Sequence, residues 1–267
     1  MEDILLPSKI EIIRGERENE SVLMMEPFFH GYGHTVGNAL RRVLLSSLQG
    51  AAVIAVRIKG ASHEFQAIPN VKEDVLEIIL NLKQLRMKVY SDEPVKLTLH
   101  AKGEKNVTGK DIQANSDVEI ANKELHIATL TDKTGELEME ITVAKGRGYV
   151  ATEERGKERS ELGTIAVDAL YSPIRSVGYK VDDVRVGQVT NYDKLTLTIE
   201  TDGTVDADEA IRQSAKILID HFALLAGLNA DASKKETEDG EEEDEEEKEE
   251  SEEGDEKPKK KASKKKK

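Results

Sequence analysis

Cysteine is absent from the 267 residues, which excludes disulfide frameworks, zinc ribbons, thiol nucleophiles and iron–sulfur clusters and leaves nothing that demands an oxidising compartment. A surplus of positive charge is absent too. The chain carries 39 Lys+Arg against 53 Asp+Glu, a formal net charge of −14, so protein partners are expected rather than electrostatic capture of nucleic acid or an anionic membrane. Long apolar runs are missing: uninterrupted apolar stretches last a few residues, far short of the roughly 20 that cross a bilayer. The start, Met1-Glu2-Asp3 before the short Ile4 to Leu6 run and Pro7, is acidic where a secretory signal would be basic. These features predict a cytoplasmic protein with no membrane segment and no export by that route.

The charge is unevenly spread. From Ser233 onward there are 11 Lys and 16 acids; Glu236 to Glu256 holds all 16 acids with one Lys, and Lys257 to Lys267 holds eight Lys and no acid. No aliphatic or aromatic residue larger than Ala follows Leu228. Such a segment cannot bury enough surface to offset roughly 1–2 kcal/mol of backbone entropy per ordered residue, so a disordered tail is expected over 231–267, acidic then basic. Three roles stay open for it: a solvated tail without a ligand, capture of a basic partner, or pairing of the two blocks with each other.

The preceding 230 or so residues combine two periodicities. Strict alternation marks half-buried antiparallel strands at Ile54, Val56, Ile58; at Val95, Leu97, Leu99; at Leu137, Met139, Ile141, Val143; and at Leu195, Leu197, Ile199. Helical spacing appears at Val36, Ala39, Leu40, Val43 and Leu44, predicting a helix over about 35–48. It recurs at Val75, Ile78, Ile79 and Leu82, with Asn70 and Glu73 read as a capping box after Pro69, and at Ile211, Ala215, Leu218, Phe222 and Leu225, with Asp206 and Glu209 in capping-box relation. The fold class is α+β.

The first and last of these helices carry more than one apolar stripe. Ala39, Leu40, Val43, Leu44, Leu45 and Leu48 in one, and Ile217, Leu218, Ile219, Phe222, Leu224 and Leu225 in the other, are a liability unless something covers them. Either both helices are buried within one monomer, or they pack on a second copy or a partner.

Signatures of chemistry are weak. Gly31, Gly33 and Gly37 ahead of a helix have neither the dinucleotide spacing nor the Gly-Lys-Ser/Thr of a P-loop, so a tight entry into the helix explains them better. His30 and His34 lack a third ligand beyond Glu26, and the other histidines, His63, His100, His126 and His221, are scattered. Asp202, Asp206 and Asp208 around Gly203 lack the EF-hand spacing and read as a turn and helix cap. No Ser-His-Asp arrangement and no clustered Asp motif for two metal ions is legible. No catalytic residue, cofactor site or metal site is expected.

One run carries more. GYGHTVGNALRRVLLSSLQG, Gly31 to Gly50, resembles the signature of the bacterial RNA polymerase alpha subunit in its N-terminal domain. HEF at 63–65, EDVLEIILNLK at 73–83, GRGYV at 146–150, DALYSPIRSVGYKVDDVRVGQVTNYDKL at 168–195 and TVDADEAI at 204–211 are similar to that family in the same order, so the resemblance spans residues 1 to about 230. It implies a discontinuous dimerisation subdomain, a sheet plus two helices from residues 1–49 and 174–230, with an inserted strand-rich subdomain at 50–173. It also implies a homodimer that scaffolds assembly of the β and β′ subunits for transcription, meeting DNA only through the assembled enzyme and using no small-molecule substrate. Carried over residue by residue, Leu40, Val43, Leu44, Leu218, Phe222 and Leu225 belong to the dimer interface; Arg41, Arg42 and Leu45 to the β contact; Glu77, Lys83, Arg185 and Asp193 to the β′ contact. An arginine fork holding carboxylates or carbonyls beside a leucine anchor suits such a contact. Gly146, Arg147 and Gly148 are open between turn geometry and partner contact. The sequence departs from the family after Leu228, where charged blocks stand in place of a compact DNA-binding domain, so assembly without alpha-mediated promoter recognition is expected. Two rival functions are an acidic-tailed chaperone or interaction module and a small-molecule enzyme using the Gly31 to Gly37 turn.

Overall fold

The computed structural model describes residues 4, 6–113, 115–155 and 163–227. They divide between two compact units, one ending at Ile217 and one beginning at Leu218. The charged tail expected over 231–267 lies outside the described residues.

The chain opens with strands β1 (Lys9–Arg14) and β2 (Glu20–Phe28), helix α1 (Tyr32–Ser46) and strand β3 (Gln49–Ile58). Helix α2 (Val75–Leu82) precedes β4 (Met87–Val89), β5 (Val95–Lys102), β6 (Lys105–Thr108), a 3-10 turn at Gly109–Asp111, β7 (Ile112–Gln113), β8 (Val118–Ile120) and β9 (His126–Leu130). Next come β10 (Glu136–Arg147), β11 (Tyr149–Val150), β12 (Thr164–Ala166) and β13 (Ala169–Leu170), then the long hairpin β14 (Ile174–Val186) and β15 (Val189–Thr201), and helix α3 (Ala207–Leu225). This is the expected α+β class, and each of the four alternating runs lies in a strand.

A four-stranded antiparallel sheet in the order β1-β2-β15-β14 joins segments from opposite ends of the first unit. A five-stranded sheet in the order β12-β3-β10-β5-β7 and the pairs β4–β8, β6–β9 and β11–β13 come from the stretch between. In β5 the alternation is complete: Val95, Leu97, Leu99 and Ala101 point inward, and Lys96, Thr98, His100 and Lys102 outward. The inward residues meet Leu137, Met139 and Ile141 of β10, Val75, Ile78 and Leu82 of α2, and Ile127 and Leu130 of β9 in one core. Each such side chain contributes about 1.5–3 kcal/mol by leaving water. On the outer face Lys59–Glu138, Lys96–Glu140 and Lys102–Glu136 form cross-strand ion pairs at 2.6, 2.8 and 3.0 Å, each an exposed contact of little net stability.

The structure corrects three local expectations. Alternation in β3 breaks: the register with β10 shifts between Thr142↔Ala55 and Val143↔Val53, leaving Ile54 as the extra residue of a bulge. Val53 and Val56 therefore both enter the main core, while Ile54 packs with Ala52, Ala169 and Tyr171. The first helix spans 32–46 rather than 35–48, because Gly31, at φ +83°, turns the chain into it early and β3 begins at Gln49. Finally, Asn70 and Glu73 do not cap α2. Asn70 is a turn residue at φ +62°, and the helix is capped by Asp74, whose carboxylate accepts from Glu77 N at 2.7 Å.

Glu73 has another task. It is 6% exposed, and its carboxylate accepts from Thr129 N at 2.6 Å, from Thr129 Oγ1 at 2.9 Å and lies 3.1 Å from His126 Nε2. Burial pushes its pKa up, but the bonds from Thr129 and His126 outweigh burial and hold it below the usual carboxylate value. The stabilisation from Glu73 is thus fully present above the ordinary carboxylate pKa and is lost as pH falls through the lowered value. Glu73→Gln, which keeps the shape but sets an amide against two donors, is expected to destabilise the fold by about 1.5–3 kcal/mol in urea titrations at neutral pH. The difference from wild type should shrink in acid; equal stability at pH 7 would remove Glu73 from this role.

Candidate functional site

Helix α1 has two dissimilar faces. Gly33, Gly37, Leu40 and Leu44 are buried on the side that packs against β14 and β15. The glycines are a requirement of that approach: a Cβ at Gly37 would stand 2.8 Å from Leu195 Cδ1 and 2.9 Å from Tyr179 Cδ2, and one at Gly33 3.0 Å from Val181 Cγ1. Leu40 and Leu44, expected in a dimer interface, are 6% and 0% exposed within a single chain, because this close seat turns them onto their own sheet. Val43 and Leu45 are half-buried, and Arg41 and Arg42 are exposed on the outer side.

Asp193 holds the start of that helix. Expected at a β′ contact, it is 4% exposed; its Oδ2 accepts from Gly33 N at 3.0 Å, and its Oδ1 lies 3.8 Å from His30 Nδ1. Gly33 carries one of the unpaired N–H groups of the first helical turn, so a carboxylate brought from β15 does the work that the local N-cap residue, Gly31, cannot do. Asp193 is an internal support and not a surface contact. His34, the other histidine of the motif, packs edge-on against Tyr179 with ring centroids 6.0 Å apart.

The two arginines differ. Arg41 Nε donates to the Val177 carbonyl of β14 at 3.3 Å, which ties it to its own sheet. Arg42 is exposed, and its guanidinium has no hydrogen-bond or ion-pair partner among the described residues; Leu45 stands one turn on. Of the motif's paired arginines, Arg41 alone is tied to the sheet behind it, through Nε.

The residues expected at the β′ contact are spread over three elements. Glu77 is exposed on α2. Lys83, just past that helix, pairs with Asp168 Oδ2 at 3.1 Å, and Asp168 Oδ1 accepts from Thr152 N at 3.1 Å. The bond from Thr152 N and then the Lys83 ammonium hold the Asp168 pKa below its usual value. Arg185 is exposed at the end of β14, where its Nε donates to Gly187 O at 2.8 Å. In α3, Leu218 is half-buried, whereas Phe222 and Leu225 are 60% and 83% exposed. Ile219 and Leu224, which the expected interface omitted, are exposed as well.

Of Gly146, Arg147 and Gly148, the two glycines serve packing and turn geometry, whereas Arg147 between them is exposed. Gly146 pairs with Gly50 across β10 and β3, and Tyr171 lies over both: a Cβ at Gly146 would stand 2.6 Å from the Tyr171 ring, and one at Gly50 would overlap the Tyr171 carbonyl oxygen. Gly148, at φ +64°, accepts from Tyr171 N at 2.8 Å. Among the described residues, His100, Glu136 and Glu138 form a cluster with ligand-type atoms within 4.8 Å of one another, but it is exposed and Lys59 and Lys102 already neutralise its carboxylates. Asp202 accepts from Thr204 N at 2.8 Å, as a turn residue does.

Residues 56–172 match the family model described as the RNA polymerase Rpb3/RpoA insert domain. The chain is 51% identical over 238 residues to the DNA-directed RNA polymerase subunit alpha of Symbiobacterium thermophilum, covering 87% of this chain and 75% of that protein. The chain belongs to the bacterial RNA polymerase alpha-subunit family. Other members are the alpha subunits of Moorella thermoacetica, 52% identical over 80% of this chain and 68% of theirs, and of Clostridium beijerinckii, 51% identical over 80% and 67%. No described helix is long and apolar enough to cross a membrane.

The role given to Asp193 is testable by thermal denaturation. Asp193→Ala removes the support of Gly33 N and is expected to cost about 1–3 kcal/mol, with Asp193→Asn losing less. An unchanged Tm for the alanine variant would refute it.

Proposed function

We propose that this chain is the non-catalytic alpha subunit of a cytoplasmic DNA-dependent RNA polymerase, a homodimer on which the β and β′ subunits assemble. The observation that carries this reading is the 51% identity over most of the chain to a protein named as that subunit. The outward face of α1 supports it. Arg42 presents a planar fork of donors beside Leu45, a pairing suited to a contact in which a carboxylate or carbonyl and an apolar anchor are met together. The exposed apolar residues at the end of α3, Ile219, Phe222, Leu224 and Leu225, support self-association, since a surface of that kind on a lone chain would favour aggregation. In this role the chain contributes neither catalytic residues nor a cofactor. Nucleotidyl transfer belongs to the large subunits, and contact with DNA comes through the assembled enzyme.

Light scattering of the full chain is expected to give twice the monomer mass, shifting to a two-to-one complex when the cognate β subunit is added. A folded monomer that ignores β would overturn the proposal. Within that assay, Arg42→Ala should weaken β binding about tenfold or more, the loss of one hydrogen bond to a charged group, with the homodimer intact. Unchanged affinity would take Arg42 out of the contact.

A further inference from the structure

Two apolar rows run across the four-stranded sheet on the side that carries α1. In the paired registers Ile10 lies opposite Met25, Met25 opposite Leu195 and Leu195 opposite Val181; Ile12, Leu23, Leu197 and Tyr179 form the second row. Directly opposed residues of antiparallel strands share a face, so each row is one strip of neighbouring side chains. At the β14 end, positions 33 and 37 of α1 abut Val181, Tyr179 and Leu195. In the middle, Leu23, Met25, Leu195 and Leu197 are buried. At the β1 end the rows stop bare, with Ile10 60% and Ile12 40% exposed.

Strand β1 is also an open edge. It is the last strand of its sheet and pairs with β2 alone among the described strands. Natural edges are commonly blunted by a proline, a bulge or a charge set into the apolar face. The sequence KIEIIR has no proline, and the register runs unbroken from Lys9↔Glu26 to Arg14↔Ser21. Lys9 and Glu11 lie on the other face and pair at 3.4 Å, with Glu26 also 3.4 Å from Lys9. The α1 side of the edge therefore reads Ile10, Ile12, Arg14, and Arg14 has no ion-pair partner among the described residues.

The antiparallel complement of that order is a strand that offers an acid, then two apolar residues, at alternate positions. The start of this chain, Glu2-Asp3-Ile4-Leu5-Leu6, has that order. It does not take the edge of its own chain: Ile4 and Leu6 are 54% and 80% exposed, and only Pro7 and Ser8 separate Leu6 from Lys9, which is already within β1. We propose that residues 2–6 of a second copy add to β1 as a further antiparallel strand, with Leu6 opposite Ile10, Ile4 opposite Ile12 and Glu2 opposite Arg14. The added strand caps both apolar rows and pairs the unmatched N–H and C=O groups of the edge. Two-fold related copies can exchange such arms reciprocally. The inference rests on the homodimer proposed above and goes beyond it, since neither α1 nor α3 supplies this contact.

Because the full chain has no cysteine, single introduced cysteines report the pairing. Two differently tagged chains, one Ile4→Cys and the other Ile12→Cys, are co-expressed, purified and mildly oxidised. Opposed positions fall within the Cα separation of about 4.4–6.8 Å that a disulfide allows, so dimers carrying both tags are expected to become covalently linked. Ile4→Cys with Ile13→Cys, which points to the other face, should not link. Arg14→Glu, setting an acid against Glu2, should reduce the link between 4 and 12, and Glu2→Arg added to it should restore the link. A link undiminished by Arg14→Glu would overturn this register. No more link at 12 than at 13, in a sample whose light-scattering mass is that of a dimer, would overturn the arm exchange and leave the homodimer standing; a monomer mass would overturn both.

Discussion

The close seat of α1 on β14 and β15 is the constraint on which the four-stranded sheet depends. The helix covers residues such as Leu195 and Leu197, both 0% exposed, and it approaches only because positions 33 and 37 carry no side chain. Asp193 then supports its first turn from β15. Glycine is unfavourable inside a helix by roughly 0.5–1 kcal/mol relative to Ala, and two of them are retained where contact with the sheet outweighs that cost. Once the inner face is set, so is the outer one, and Arg42 points away from the sheet because Leu40 and Leu44 point into it.

The polar residues divide in the same way between support and display. Much of the high charge content is spent on the fold: Lys83 on Asp168, Lys59 on Glu138, Glu73 on Thr129 and His126, Asp74 on the start of α2. Two of the charges without an ion pair among the described residues, Arg42 on α1 and Glu77 on α2, have apolar neighbours in their own helices that are incompletely buried. That combination of unspent charge and uncovered carbon is what a subunit offers to a neighbour.

The strands were legible because a half-buried sheet imposes a period of two that survives in sequence, as in β5, β10 and β15. The pattern failed in β3, where one bulged residue reverses the faces and nothing in Ala51 to Ile54 signals it. Capping signals were ambiguous for a physical reason: Asn70 with Glu73 has the spacing of a capping box, but so does a turn followed by a buried carboxylate, and local sequence cannot tell them apart. The glycines of the Gly31 motif were read as freeing the chain to enter the helix, which holds for Gly31 alone; Gly33 and Gly37 answer to side chains about 160 residues away, as the Gly33 to Asp193 separation illustrates. Apolar excess on α1 overstated the exposed surface because half of it serves its own sheet, whereas in α3 the excess is real. Site residues were legible through resemblance and not through pattern, and the geometry separates them by burial: Asp193 inward, Arg42 and Glu77 outward.

The interleaved path of the chain has a consequence for its synthesis. β2 and α1 are complete by residue 46, yet their partners β14 and β15 begin at Ile174 and Val189. At about 5–20 residues per second, a nascent chain waits for many seconds with an apolar strand and a glycine-bearing helix that have nothing to rest on, while the stretch between them makes its own sheet and core. The contacts that close the four-stranded sheet are thus among the longest in sequence and the last to become available, which makes its completion the slow, entropically costly step of folding. Any partner that reads the outer face of α1 meets a finished surface only after nearly the whole body has left the ribosome.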